Sequence, residues 1–361
     1  MANNFLNGKR ILITGGTGSW GNVLVERILK DFSPKKIIIY SRGELRQVSM
    51  KRRLNNPKLE FVIGDVRNKE RLNLLCKESD IIFHLAALKH VTVCEENPTE
   101  AIDINIKGTE NVVNCAIENN IEKVVYVSTD KAVAPINLYG ITKAASERLI
   151  VNANLRNGKT IFSCIRAGNV MGSSGSVIPL FRKQIALNNM ITVTDEKMTR
   201  FIMSLEEAIG LLLKAAELSI GGEIFVMQMP GIKVMDLAKV MAKELGDKNT
   251  KIKITGIRPG EKIDEVLVSQ DEIHRTVEFG KYFVIMPYVP IKKAIEKYKN
   301  MKKPEFEYYS SNNTKMLSLE EIKEVLKRNH FLGNDYEYDE LIGGLNREEM
   351  NRIEKKEKWL I

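Results

Sequence analysis

Tyr139 and Lys143 stand four residues apart, and ten residues before the tyrosine Thr129 is followed at once by Asp130 and Lys131. A tyrosine phenolate can take a proton from an alcohol while a hydride leaves for a nicotinamide ring. An unperturbed phenol, with a pKa of about 10, is a poor base at neutral pH. A lysine one helical turn away stabilises the phenolate. Tyr139 and Lys143 meet that need if LYGITKAASERLI is a helix. Redox chemistry would use only this pair and the Thr129 hydroxyl. An acid and a second lysine beside them, right after a strand, call for a further reaction or for a surface ion pair.

A second constellation lies near the start. In ILITGGTGSWG, Gly15, Gly18 and Gly21 follow an apolar run and open a helical pattern. Glycines there permit a tight turn and close approach of backbone N–H groups to a pyrophosphate. Thr17, Ser19 and Trp20 complete the expected loop contacts, and the bulky Trp20 is expected on the sheet edge or at the entrance. An acid at the end of the second strand would mark NAD. Ser41 and Arg42 stand there instead, and a hydroxyl with a guanidinium suits a 2′-phosphate. NADP is therefore the expected cofactor, although Glu44 could still reach a ribose. Asp65 and Val66 after the third strand would meet the adenine, and Ala86 and Ala87 after the fourth would border the dinucleotide, as would Tyr139 and Lys143.

The elements that must position these residues are legible as apolar runs at 10–14, 36–40, 60–64, 81–85, 123–127 and 161–166, separated by segments of helical period. Strands that are apolar without alternation, with helices between them, imply a parallel sheet covered on both faces. A doubly wound α/β (Rossmann) fold follows, with ligands at the carboxyl ends of the strands. We expect residues 1–168 to form this dinucleotide-binding domain. Residues 169–330 read as a smaller α+β lobe interleaved with it, and 331–361 as a charged tail. YYSSNN reads as a polar turn or linker, and SLEE (318–321) as a capping box opening a helix toward Lys327.

TGGTGSWG, HLAALKHV, NPTEAIDINIKGTENV, STDKAVAPINLYGITKAASE, RAGNVMGSSGSVIPLF, MTRFIMSLEEA and GIRPGEKIDEVL resemble the extended short-chain dehydrogenase/reductases that act on nucleotide sugars. Within that group the likeness is to the inverting UDP-N-acetylglucosamine 4,6-dehydratases, including the short spacing from Thr129 to Tyr139. The resemblance implies that Tyr139 takes the C4 hydroxyl proton, Lys131 abstracts the C5 proton, and Asp130 protonates the departing C6 hydroxyl. It implies a tightly held NADP regenerated in each turnover, and a substrate site drawing on Lys89, Asn169, Thr199, Arg200, Arg258 and Glu261. It also implies a homo-oligomer, as family members tend to form hexamers. Ser174 stands where the family usually has arginine, and Trp20 where it has phenylalanine. Two other readings share the glycine loop: a UDP-N-acetylhexosamine 4-epimerase, which needs no acid for a C6 hydroxyl, and a catalytically silent NADP-binding scaffold.

The bulk numbers are compatible with this. The chain has 361 residues, 43% of them hydrophobic and 28% charged, enough for one large or two modest domains. Its four cysteines have no paired spacing, so neither a disulfide framework nor a zinc site is expected, and a reducing cytoplasm fits. No run approaches the ~18 apolar residues of a membrane span. The net charge of +9 suits phosphate-bearing small ligands. No aromatic-interleaved basic motif points to nucleic acid. The basic stretch 290–306 reads as a solvated helix face or a membrane-surface helix.

Overall fold

The structure is a computed structural model that describes residues 4–332 apart from 157 and 174. Ser174 and the charged tail from 333 onward thus lie outside the described residues. The six apolar runs are the strands β1 (Arg10–Thr14), β2 (Lys36–Ser41), β3 (Leu59–Ile63), β4 (Ile81–His84), β5 (Lys123–Thr129) and β6 (Ile161–Ala167). They pair in parallel in the order β3-β2-β1-β4-β5-β6. The interior strands are buried on both faces, which is why their sequences run apolar without alternation. The strand order reverses between β1 and β4. That switch point opens a crevice at the carboxyl ends, where the glycine loop and Ala86–Ala87 lie.

The chain packs as two compact units. Among the described residues, one comprises 4–167, 206–228 and 266–309; the other comprises 168–205, 229–265 and 310–332. Segments 206–228 and 266–309, expected in the smaller lobe, therefore belong with the first unit. The physical reason is strand addition. Ile224–Met227 pairs in parallel with β6, and Tyr282–Ile285 and Thr276–Phe279 extend the same sheet antiparallel. Glu147, Arg166 and Glu272 fasten this return. Arg166 on β6 is buried and donates to both carboxylates, at 2.6 and 2.9 Å to Glu147 and 2.6 and 2.8 Å to Glu272. Removing either partner would leave a buried charge uncompensated.

The basic stretch 290–306 holds one short helix, Lys292–Tyr298, whose Ala294 and Tyr298 are buried. YYSSNN is part of the fold: Tyr309–Ser310 forms a short strand, and in the second unit the Ser311 hydroxyl bonds that of Thr199 at 2.6 Å. Helix Leu319–Arg328 opens with the expected capping box between Ser318 and Glu321. No helix among the described residues is long and apolar enough to cross a membrane.

Candidate active site

β5 ends at Thr129, and continued extension would send Asp130 and Lys131 to opposite faces. Instead a tight turn covers Asp130–Ala132, and the Thr129 hydroxyl caps it by accepting from the Lys131 N–H. Ala134 then adopts φ +42°, a left-handed conformation that forces the chain away from the strand direction. Asn137 stops this excursion and starts helix Leu138–Ala153 by accepting the Gly140 N–H at 2.8 Å. Only glycine fits at 140, because a Cβ there would lie 2.2 Å from the Lys131 carbonyl oxygen. The first turn of the helix is thereby pressed onto the Asp130–Lys131 turn.

The turn brings the two side chains together. Lys131 Nζ lies 3.0 Å from Asp130 Oδ1, and the Thr129 hydroxyl donates to the same oxygen at 2.9 Å. Asp130 is 1% exposed, so this is no surface ion pair. Its second oxygen, Oδ2, is buried without a hydrogen-bond partner among the described residues. Tyr139 hydrogen-bonds Thr129; burial pushes its phenol up to about 12, against the opposing pull of the Lys131 charge and that bond. Lys143, one turn on, is pulled down by burial to about 7. It donates to the Val127 carbonyl at 2.6 Å.

A buried polar network holds this helix to the crevice. Asn105 lies in a wide π-type turn, Ile102–Lys107, the kind of irregularity that often marks a functional site. It accepts the Leu88 N–H at 2.8 Å and donates to the Leu88 carbonyl and to the Thr142 hydroxyl. The loop after β4 and the catalytic helix are thus tied to one side chain. His84 adds a second tie. The Thr109 hydroxyl donates to the Asn105 carbonyl, so it accepts from His84 Nε2–H, and Nδ1 accepts from the Thr14 hydroxyl at 2.6 Å. Burial, then the charge of Lys143, pushes His84 down to about 3, so the ring is neutral. Sequence reasoning assigned no role to Asn105, Thr142 or His84. Their signal was polar residues inside otherwise apolar patterns.

The glycine loop has the form a dinucleotide needs. Gly15 sits at φ +69°, and a Cβ there would lie 2.8 Å from the Ala86 N, so loop and β4 extension approach as closely as backbones can. Gly18 is the N-cap of helix Ser19–Asp31 and has no side chain to cover its first turn, which also contains no acid. The start of a helix without an acid favours a phosphate. Trp20 is half-buried in that turn. The Thr17 hydroxyl donates to Ser41 Oγ at 3.0 Å, and Gln47 donates to the same oxygen, so Ser41 is fixed at the end of β2. Arg42 is 56% exposed and 3.9 Å from Asp65. Burial opposes the Asp65 charge, but Arg67 hydrogen-bonds it at 2.8 and 2.9 Å and holds the carboxyl below its usual range. Val66 is buried beside Gly108. The residues present fit a nicotinamide dinucleotide.

Lys89, just past Ala87, belongs to this unit. Desolvation, then the nearby Lys131 charge, lowers its pKa. The other expected substrate residues are in the second unit. Asn169 is half-buried, and its Oδ1 has no hydrogen-bond partner among the described residues. Thr199 is buried and donates to Asp264 at 2.7 Å. Arg200 points its guanidinium at backbone carbonyls of Thr199, Lys262 and Ile263. Arg258 is 57% exposed, 3.9 Å from Glu261. No group of three or more metal-ligating side chains occurs among the described residues.

Comparison with known proteins gives consistent matches. A family model described as polysaccharide biosynthesis protein matches residues 11–287. The UDP-N-acetylglucosamine 4,6-dehydratase (inverting) of Campylobacter jejuni subsp. jejuni serotype O:23/36 (strain 81-176) is 43% identical over 338 residues, 91% of this chain and 99% of that protein. The UDP-glucose 4-epimerase of Rickettsia bellii (strain OSU 85-389) is 45% identical over 341 residues, 92% of this chain and 98% of that protein. Among solved structures, Pen from Bacillus thuringiensis matches with a TM-score of 0.85 at 39% identity, covering 91% of this chain and 100% of its own.

Proposed function

The chain belongs to the polysaccharide biosynthesis protein family, and we propose that within it this protein is an NADP-dependent nucleotide-sugar 4,6-dehydratase, a hydro-lyase acting on UDP-N-acetylglucosamine with inversion at C5. The observation that carries the reading is buried Asp130 paired with Lys131, both acting on Tyr139. Epimerisation at C4 uses the tyrosine and lysine alone, so an acid and a second base have no task in it. The epimerase reading is kept by the Rickettsia relative. A silent scaffold has no need of Tyr139 and Lys143 in working geometry.

Tyr139, as phenolate, takes the C4 hydroxyl proton, and the Lys143 ammonium stabilises its charge. A nicotinamide dinucleotide held by the glycine loop, Ser41 and Asp65 would supply hydride acceptance at C4 and hydride donation at C6. The C4 carbonyl makes the C5 proton acidic. Asp130 and Lys131 share one proton across 3.0 Å. When it sits on the carboxylate, the pair is at once an amine base and a carboxylic acid. Lys131 then takes the C5 proton while Asp130 gives its proton to the C6 oxygen, which leaves as water. The pair ends as ammonium and carboxylate, its starting state. The proton that Tyr139 took from the C4 hydroxyl then goes to C5 from the face opposite Lys131, which inverts that carbon and restores the phenolate.

In the second unit, Arg258 has the exposure and fork geometry for a diphosphate, and Glu261 could hold ribose hydroxyls. Lys89 and Asn169 would contact the sugar. Arg200 and Thr199 would shape the site through the segment 262–264 that they bond.

For the cofactor, Arg42 is the discriminating residue. Arg42→Ala is expected to weaken NADP binding by about 10- to 100-fold, the loss of a charge-assisted hydrogen bond, and NAD binding by less than about 2-fold. Titration of cofactor-free protein with each dinucleotide reads this; equal weakening of both contradicts the NADP assignment. The function itself is tested by incubating the protein with UDP-N-acetylglucosamine and scanning for ultraviolet enone absorbance after alkali. The dehydration product gives the band, whereas a 4-epimer gives none.

A further inference from the structure

The Lys143 ammonium does not sit in a purely apolar cavity. It lies 3.9 Å from the centroid of the Tyr126 ring, on the strand that ends in the catalytic turn. Tyr126 is 1% exposed. At 5.4 Å between ring centroids stands His84, whose hydrogen bonds fix it as a neutral tautomer. The ring therefore meets one cation in a site without bulk water. There the attraction between a cation and an aromatic face is at its largest.

We propose that Tyr126 is a positioning residue for the dehydration: its ring face holds Lys143 charged and in place one helical turn from Tyr139. This rests on the reading of Tyr139 and Lys143 as the acid–base pair. Other groups face Lys143 too. Glu147 lies one turn further along its helix, bound to Arg166; Cys164 comes from β6 and His84 from β4. Glu147 favours the ammonium, but its charge is shared with Arg166. Tyr126 is the aromatic face in direct contact.

The consequence is a specific pH signature. The working state, phenolate beside ammonium, has the same proton count as phenol beside amine, so the pair titrates as a unit. Removing the ring destabilises the ammonium alone. More of the singly deprotonated pair then becomes the idle phenol–amine form, and the Lys143 midpoint falls. At low pH, where lysine is charged in any case, the active fraction is unchanged.

The experiment compares Tyr126→Leu with Tyr126→Phe, which keeps the ring. Lys143 is titrated by 13Cε NMR in each full-length protein, assigned by its loss in Lys143→Met, alongside the pH profile of kcat/KM. We expect Tyr126→Leu to lower the Lys143 midpoint by about one unit and kcat/KM above neutrality by about 10-fold, with rates converging at acid pH. Tyr126→Phe keeps the parental midpoint. If Tyr126→Leu does not fold, as judged by thermal unfolding, Tyr126→Met takes its place. A shifted midpoint without turnover of any nucleotide sugar supports Tyr126 and sinks the proposed reaction instead. An unshifted midpoint, or a loss of rate equal at all pH values, overturns the role of Tyr126.

Discussion

Tyr139→Phe lowers kcat/KM for the nucleotide sugar by about 10³- to 10⁴-fold and leaves substrate affinity within about 2-fold, as expected for loss of a general base acting in the transition state. The expectation follows from where the phenol sits. Burial holds Tyr139 up near 12, so the free hydroxyl is a weaker base-in-waiting than an ordinary tyrosine. What makes its phenolate usable is the cation one turn away, pulled down to about 7 by the same burial. The two shifts move apart, so burial alone favours phenol beside amine, and the phenolate–ammonium form draws on the further charge of Lys131, which pulls the Tyr139 phenol down. Phenylalanine keeps the ring, which packs near Cys94 and Ala101, and the fold is expected to be retained. The parental rate rises with pH until the pair has lost one proton; the variant lacks that limb. Steady-state kinetics across the pH range, with thermal unfolding as control, checks both points. A variant with parental activity removes Tyr139 from the chemistry.

Lys131→Met and Asp130→Asn separate the later steps. Lys131→Met abolishes loss of the C5 proton, so both solvent exchange at C5 and water loss at C6 fall by about 10²- to 10⁴-fold. Asp130→Asn leaves an amine base but no acid, so C5 exchange outlasts formation of the C6 methyl group. The amide fits the volume of the carboxylate at a site 1% exposed, although Lys131 then loses its counter-charge. Following C5 deuterium and the C6 methyl signal separately reads the two outcomes. If Lys131→Met turns over at the parental rate, the pair is structural and the epimerase reading gains.

The doubly wound half of this chain could be read from its sequence because each strand carries its own signature. Runs such as ILIT and KIIIY are apolar on both faces only where helices cover both sides of a parallel sheet. The tyrosine–lysine spacing and the glycine loop were legible for the same reason: their geometry is local. What was not legible depended on partners distant in sequence. EIFVMQ reads as a strand in any sheet, and nothing in it says that Ile224–Met227 lies beside β6. Arg200 has the residue type of a phosphate ligand, but its donors are turned to the carbonyls of 199, 262 and 263. The convergence of Asp130 with Lys131 hangs on a left-handed Ala134 and on Gly140 three-dimensionally opposite Lys131, relations no periodicity encodes. Tyr126 reads as one more β-former in KVVYV until Lys143 is seen on its face.

The central claim is that this site removes water across C5 and C6 of a nucleotide sugar. It is tested most directly by proton NMR of the purified protein with UDP-N-acetylglucosamine in deuterium oxide, with no cofactor added and then with NADP. The expected result is a new C6 methyl signal with deuterium at C5, and ring couplings that report inversion at that carbon. Appearance of UDP-N-acetylgalactosamine with no methyl signal would contradict the dehydratase assignment and leave Asp130 and Lys131 without a catalytic task.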